Sequence, residues 1–178
     1  MRYVKERIDK MTYAVVYASV TGNTKLLAEE IRKGLGENEC VCFGTVEEAG
    51  TAVEADLIFV GFWTDKGNCS EELGKFLEGL HGRKVFLFGT AGFGGAQSYF
   101  EQILERVKGH LAADNEVVGT YMCQGKMPQS VRKRYEGMLE QNPGDERIKG
   151  MIENFDRAVQ HPEEADLKAL GEAVGKVL

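Results

Sequence analysis

A doubly wound α/β domain, with five parallel strands in the order 2-1-3-4-5, is predicted by three features of the sequence. Its strand-like segments are apolar almost throughout instead of alternating, the pattern of a parallel sheet covered on both faces. Amphipathic stretches of helical period separate them. The 178 residues suffice for one domain with a buried core. For five strands the order 2-1-3-4-5 is the economical arrangement.

In chain order, Met1 to Lys10 form a charged leader ahead of a second methionine, Met11. The leader reads either as poorly ordered sequence before a natural start at Met11 or as a short genuine extension; residues 11–178 read as the domain. Thr12–Ala18 is a buried strand, and Asn23–Leu35 a helix with Leu27, Ile31 and Leu35 on one face. Glu39–Phe43 is a short strand and Asp56–Phe62 an apolar one. Ser70–Leu80 is a helix whose Leu73, Phe76, Leu77 and Leu80 share a face; Ser70, Glu71 and Glu72 give it an acidic, capped entry. Lys84–Gly89 is a third apolar strand, followed by a helix over Gly95–Val107 with Phe100, Ile103, Leu104 and Val107 at core spacing, and Glu116–Cys123 is the last strand. From Gln124 onward the pattern is helical only. Val131–Leu139 and Ile148–Val159 are amphipathic and are broken by Asn142-Pro143-Gly144-Asp145, so 124–160 reads as an inserted helical hairpin. A closing helix, 163–178, follows His161-Pro162, with Pro at the helix entry it tolerates.

Composition narrows the function. A net charge of −6 disfavours nucleic acid as the main partner, since phosphate backbones select basic surfaces. No apolar run approaches the length of a membrane span and no signal peptide is visible. Cys40, Cys42, Cys69 and Cys123 show neither disulfide nor zinc spacing, which makes a reducing cytoplasm the expected compartment. There are no paired carboxylates, no Ser/His/Asp set and no metal cage to suggest acid–base or metal catalysis.

The chemistry concentrates in three loops at strand C-termini, where open parallel sheets bind ligands. The first, Ser19-Val20-Thr21-Gly22-Asn23-Thr24, joins a strand to a helix N-terminus. Unpaired amides and the helix dipole favour an anion there, and three hydroxyls and an amide side chain add donors. Lacking its own cation and the P-loop pattern, it suits a terminal phosphomonoester better than a nucleoside triphosphate; an ordinary capped helix is the plainer alternative. The second loop is Trp63-Thr64-Asp65-Lys66-Gly67-Asn68-Cys69, and the third Thr90-Ala91-Gly92-Phe93-Gly94-Gly95. Aromatic, hydroxyl and glycine residues in both suit the faces and edges of a flat heterocycle.

On these residues the sequence resembles the flavodoxin family of FMN-binding electron carriers, over roughly Met11 to Cys123. Ser19 to Thr24 match that family's hydroxyl-x-Thr-Gly-Asn-Thr phosphate loop; Gly61-Phe62-Trp63-Thr64 and Phe88-Gly89-Thr90-Ala91-Gly92 fall where its second and third loops begin. The helical tail resembles a narrower bacterial branch, one member of which accompanies bilirubin reductase. The resemblance implies FMN, its phosphate held by Ser19, Thr21, Asn23 and Thr24 with the backbone from Val20 through Gly22 to Lys25. It implies that the Thr64 hydroxyl reaches the phosphate or ribityl chain, and that the Asp65–Gly67 backbone faces the flavin edge. A glycine there permits a peptide flip. The Thr90, Ala91, Gly92, Phe93, Gly94 and Gly95 backbone would serve the pyrimidine end. The chain departs from the family in two places: Asp65 stands where its stacking Trp falls, and the third loop lacks the usual acidic residue and Tyr. Trp63, next to Phe62, and Phe93 are the candidates to sandwich the ring.

The implied partners are a reductase and a client redox enzyme. The alternative is an NAD(P)H-dependent flavin or quinone reductase of the same fold, in which the helical insertion builds or blocks a second pocket. A flavin-free phospho-receiver is disfavoured by Ser19-Val20-Thr21 and Trp63-Thr64, where acidic residues would be needed. Because a fully reduced flavin is an anion, the cationic Lys66 and the carboxylate-free third loop imply a less negative potential for the second electron, with Asp65 opposing. Cys69, before a helix N-terminus, is in a setting that lowers thiol pKa, although a packed loop cysteine is the plainer reading. His81, His110 and His161 form no cluster, and Lys126, Arg132, Lys133 and Arg134 form a basic group suited to a solvated face or, because the last strand ends at Cys123 on that side, to a docking surface next to the cofactor end.

Overall fold

The structure, a computed structural model, describes residues 11–37 and 39–178; the expected leader, 1–10, lies outside the described residues. Five strands form one parallel sheet: β1 (Tyr13–Tyr17), β2 (Cys40–Thr45), β3 (Leu57–Trp63), β4 (Lys84–Ala91) and β5 (Glu116–Gln124), in the order β2-β1-β3-β4-β5. The helices among the described residues are α1 (Asn23–Leu35), α2 (Glu71–Glu78), α3 (Gln97–Lys108), α4 (Gln129–Gln141), α5 (Glu146–Ala158) and α6 (Glu164–Gly175). Two short 3-10 turns, Val46–Glu48 and Ala52–Glu54, bridge β2 to β3 in place of a helix. No described helix is long and apolar enough to cross a membrane.

The two-residue period of the strands assigns the core. Tyr13, Val15, Tyr17, Leu57, Phe59, Phe86 and Phe88 face one side, where Leu27, Ala28 and Ile31 of α1 and Leu170 and Val174 of α6 cover them. Ala14, Val16, Ile58, Val60, Phe62, Val85 and Leu87 face the other, beneath α2 and α3 through Leu73, Leu77, Ile103, Leu104 and Val107. Burial on both faces is why these strands read as unbroken apolar runs. Ser70 caps α2 by accepting from the Leu73 amide.

The chain after β5 turns back over the strand ends. Gly125 N donates to the Ala91 carbonyl and Lys126 N to that of His161, so residues 125–128 lie along the C-terminal edge before α4 starts. The α4/α5 pair has its own buried residues, Tyr135, Ile148, Phe155 and Ala158. Arg132 joins the two helices through a two-pronged contact with Asp156, at 2.9 and 3.1 Å. That guanidinium holds the Asp156 carboxyl below the usual range.

Candidate functional site

The loops after β1, β3 and β4 meet at the C-terminal edge of the sheet. Gly22, left-handed at φ 85°, turns the first loop into α1. The Lys25 amide is bonded to Ser19 Oγ at 3.3 Å and the Leu26 amide to the Gly22 carbonyl at 3.0 Å. Those of Asn23 and Thr24 open the helix with no acceptor inside it, at the positive end of its dipole. Asn23 is 6% exposed, and its Nδ2 donates to Thr21 Oγ1 and to the Lys126 carbonyl, both at 2.8 Å. A carbonyl can only accept, so Lys126 fixes which end of the amide carries the hydrogens. The buried Asn23 Oδ1 is left without a partner among the described residues. Buried acceptors are seldom left so.

Thr24 departs from the expectation. Its side chain is fully buried, its hydroxyl donates to the Phe62 carbonyl at 3.1 Å, and it therefore accepts from Thr90 Oγ1 at 3.0 Å. These bonds lock the start of α1 to the ends of β3 and β4 and leave only the Thr24 backbone amide for an anion. Phe62 departs too: its ring is fully buried beneath α2 and α3 and its contribution is that carbonyl. The Thr64 amide and hydroxyl both donate to the Thr90 carbonyl, at 2.9 and 2.8 Å, so its proton goes to the sheet edge.

The second loop is a two-residue turn. Asp65 and Asn68 exchange both backbone bonds, at 2.8 and 3.0 Å, with Lys66 at φ 49° and Gly67 at φ 80° between them. Two left-handed residues make the type I′ geometry, comfortable for glycine and slightly strained for lysine. Arg106 of α3 anchors the turn by donating to the Gly67 carbonyl at 3.1 Å. In the third loop, the Gly92 carbonyl accepts from both Gln124 and Asn154.

These loops enclose a cavity of about 740 Å³. Val20, Thr21 and Asn23, then Trp63 to Gly67, then Thr90 to Phe93 form three of its sides. Trp63 and Phe93 both line it; Gly94 and Gly95 do not, facing a neighbouring depression with Gln124, Arg157 and His161. The remaining wall is formed by Gly125 to Pro128, with Val131, Arg134 and Tyr135 of α4 and Tyr99 and Arg106 of α3. The end of β5 on this edge placed Lys126 and Arg134 beside the site as a docking face; the structure makes them part of the cavity lining itself. Four cations (Lys66, Arg106, Lys126 and Arg134) against one carboxylate, Asp65, make the lining basic on an acidic chain.

The remaining titratable groups stand apart. Cys69 is buried, and burial pushes its thiol up, overriding the helix terminus expected to lower it. Burial likewise pushes the Cys123 thiol up to about 12. His81, His110 and His161 face Asp114, Glu78 and Asp166 respectively, away from the large cavity.

A family model described as "Flavodoxin domain" matches residues 14–175. The flavodoxin-like domain-containing protein BilS of Clostridium symbiosum is 43% identical over 176 residues, covering 89% of this chain and 92% of that protein. The protein of the same name from Clostridioides difficile is 34% identical over 164 residues, covering 88% and 90%. Among solved structures, a short-chain flavodoxin associated with a non-canonical PDU bacterial microcompartment superposes with a TM-score of 0.61 at 16% identity, covering 94% of this chain and 97% of that one. At that identity the likeness is one of fold.

Proposed function

The chain belongs to the flavodoxin family, in the branch of the two BilS proteins, and on that premise we propose that it carries electrons between a reductase and a client redox enzyme with FMN as its resident cofactor. The convergence of three strand-end loops and the mouth of α1 on one cavity carries this reading. Its volume is that of a cofactor pocket. The residues present fit FMN. Ser19 and Thr21 hydroxyls with the Asn23 and Thr24 backbone amides suit a phosphomonoester. Trp63 and Phe93 offer flat apolar faces, and the basic lining suits an anionic cofactor.

When bound, FMN supplies one- and two-electron transfer. The protein's part is to bind, orient and screen. The α1 terminus and first loop would hold the phosphate, while the Lys66–Gly67 turn and the Thr90–Phe93 backbone would serve the ring. The 125–128 segment and α4 keep water from one side of it. Protein purified without denaturation is expected to be yellow and to release one equivalent of FMN on boiling. A folded, colourless protein that takes up no FMN from excess overturns the reading.

The depth that α4 adds to the cavity favours a second reading, an NAD(P)H-dependent flavin or quinone reductase. Direct oxidation of NAD(P)H by the holoprotein selects the reductase, and its absence the carrier.

Lys66 sets a further expectation. Lys66 lines the cavity, and its ammonium would ease negative charge gained by a flavin bound there. Lys66→Ala is expected to lower the second midpoint potential by tens of millivolts in low salt. Potentiometry that finds it unchanged or raised rejects this role.

A further inference from the structure

We propose that Asn154 and Gln124 are positioning residues for the third loop: by holding the Gly92 carbonyl, they aim the Phe93 amide into the cavity as a donor to the flavin. The proposal rests on the FMN reading above and gives the inserted helices a part in the cofactor site.

Three bonds form a closed network. Gln124 Nε2 donates to the Gly92 carbonyl at 2.9 Å and to Asn154 Oδ1 at 3.0 Å, and Asn154 Nδ2 donates to the same carbonyl at 3.0 Å. Turning the Asn154 amide over would set its oxygen against the Gly92 oxygen and its hydrogens against those of Gln124, so the network admits one orientation. Asn154 is 5% exposed, one of few buried polar side chains among the described residues. Such a group is costly unless bonded, and here both of its ends are.

The direction of the carbonyl has a consequence across the peptide. In a trans peptide the C=O of one residue and the N–H of the next point oppositely. Gly92 and Phe93 line the large cavity, whereas Gln124 lines the neighbouring depression and not that cavity. A carbonyl drawn toward Gln124 and Asn154 therefore sends the Phe93 N–H to the cavity side. The preceding carbonyls are engaged as well: Thr90 by Thr64 and Ala91 by the Gly125 amide. The carbonyls of Thr90, Ala91 and Gly92 are thus all held by protein donors.

Sequence around the network fits it. A Cβ at Gly94 would stand 2.8 Å from Gln124 Cδ, so the close approach of Gln124 requires a glycine there. With Gly92, Gly94 and Gly95 the loop is intrinsically loose. Tethering one carbonyl to two side chains removes that freedom before the cofactor arrives, which lowers the entropy lost on binding. Asn154 is two residues from Asp156, whose bonds to Arg132 fix α5 against α4.

The test uses amide exchange and FMN titration on the 15N-labelled full chain, with Asn154→Leu and Gln124→Met, which keep size and remove donors. In the wild type the Phe93 amide is expected to shift and become protected from exchange when FMN is added. In each variant that keeps the wild-type apoprotein unfolding midpoint, that protection should fall and FMN should bind about tenfold more weakly. A Phe93 amide indifferent to FMN in the wild type overturns the proposal without need of a variant. So do folded variants with wild-type affinity and protection. Wild-type protein that takes up no FMN overturns the cofactor reading itself.

Discussion

Asn23→Asp is expected to weaken FMN binding by two to three orders of magnitude while the apoprotein stays folded. The substitution removes the Nδ2 donor from Thr21 and from the Lys126 carbonyl. It sets a carboxylate oxygen against that carbonyl, which releases the 125–128 segment from the first loop. It also puts a negative charge beside a phosphate. Two unit charges about 4 Å apart interact by about 4 kcal/mol near a protein surface, and a lost bond to a buried group adds about 1–3 kcal/mol. A carboxyl this buried relieves part of that by taking up a proton, so a loss of about 3–4 kcal/mol is expected. Titration with FMN and with riboflavin separates the causes. Repulsion acts on the phosphate, so the preference for FMN over riboflavin should shrink. Affinity for FMN within about threefold of wild type would place the phosphate elsewhere.

Legibility followed sequence distance. The strands were readable because Val15, Phe59 and Phe86 sit in runs buried from both sides, and α1 keeps its expected bounds because its Leu27 and Ile31 face repeats with helical period. β4 runs past Gly89 to Ala91 because Thr90 and Ala91 pair with Cys123 and Gln124, a partnership no local pattern announces. The hydroxyl-rich loop was readable as a strand-to-helix entry because its helix terminus follows it directly. How each donor is used was not. Thr24 faces Phe62 and Thr90, and Asn23 reaches Lys126 across 103 residues. The fourth cavity wall was legible in place but not in role. The end of β5 set Lys126 and Arg134 beside the loops as a solvated or docking face, and the return of the chain after β5 makes them lining residues. Cys69 was misjudged in charge but not in packing, since burial outweighs the helix terminus beside it.

The dependence of the site on the sheet beneath it gives the second large effect. Gly61→Ala is expected to lower apoprotein stability by about 1–3 kcal/mol and to weaken FMN binding as well. Gly61 lies on β3 between Tyr17 of β1 and Phe88 of β4. A Cβ there would stand 2.4 Å from Phe88 Cε2 and Cζ and 3.0 Å from Thr24 Cγ2. Phe88 is fully buried and has no room to withdraw. Thr24 is held by its bonds to Phe62 and Thr90, so any shift there carries the first turn of α1 with it. The Gly61 carbonyl also accepts from Ala18, which sets where the first loop leaves β1. One methyl group thus strains the core and displaces the first-turn amides of α1 that the FMN reading assigns to the phosphate. Gly34→Ala is the matched control: in α1, with nothing within 4 Å of the added carbon, it should stabilise the helix by about 0.5–1 kcal/mol. Urea unfolding of the two apoproteins reads the difference. A Gly61→Ala protein as stable as wild type would mean that Phe88 does not occupy the space the glycine leaves, and that the phosphate loop is supported by something other than the end of β3.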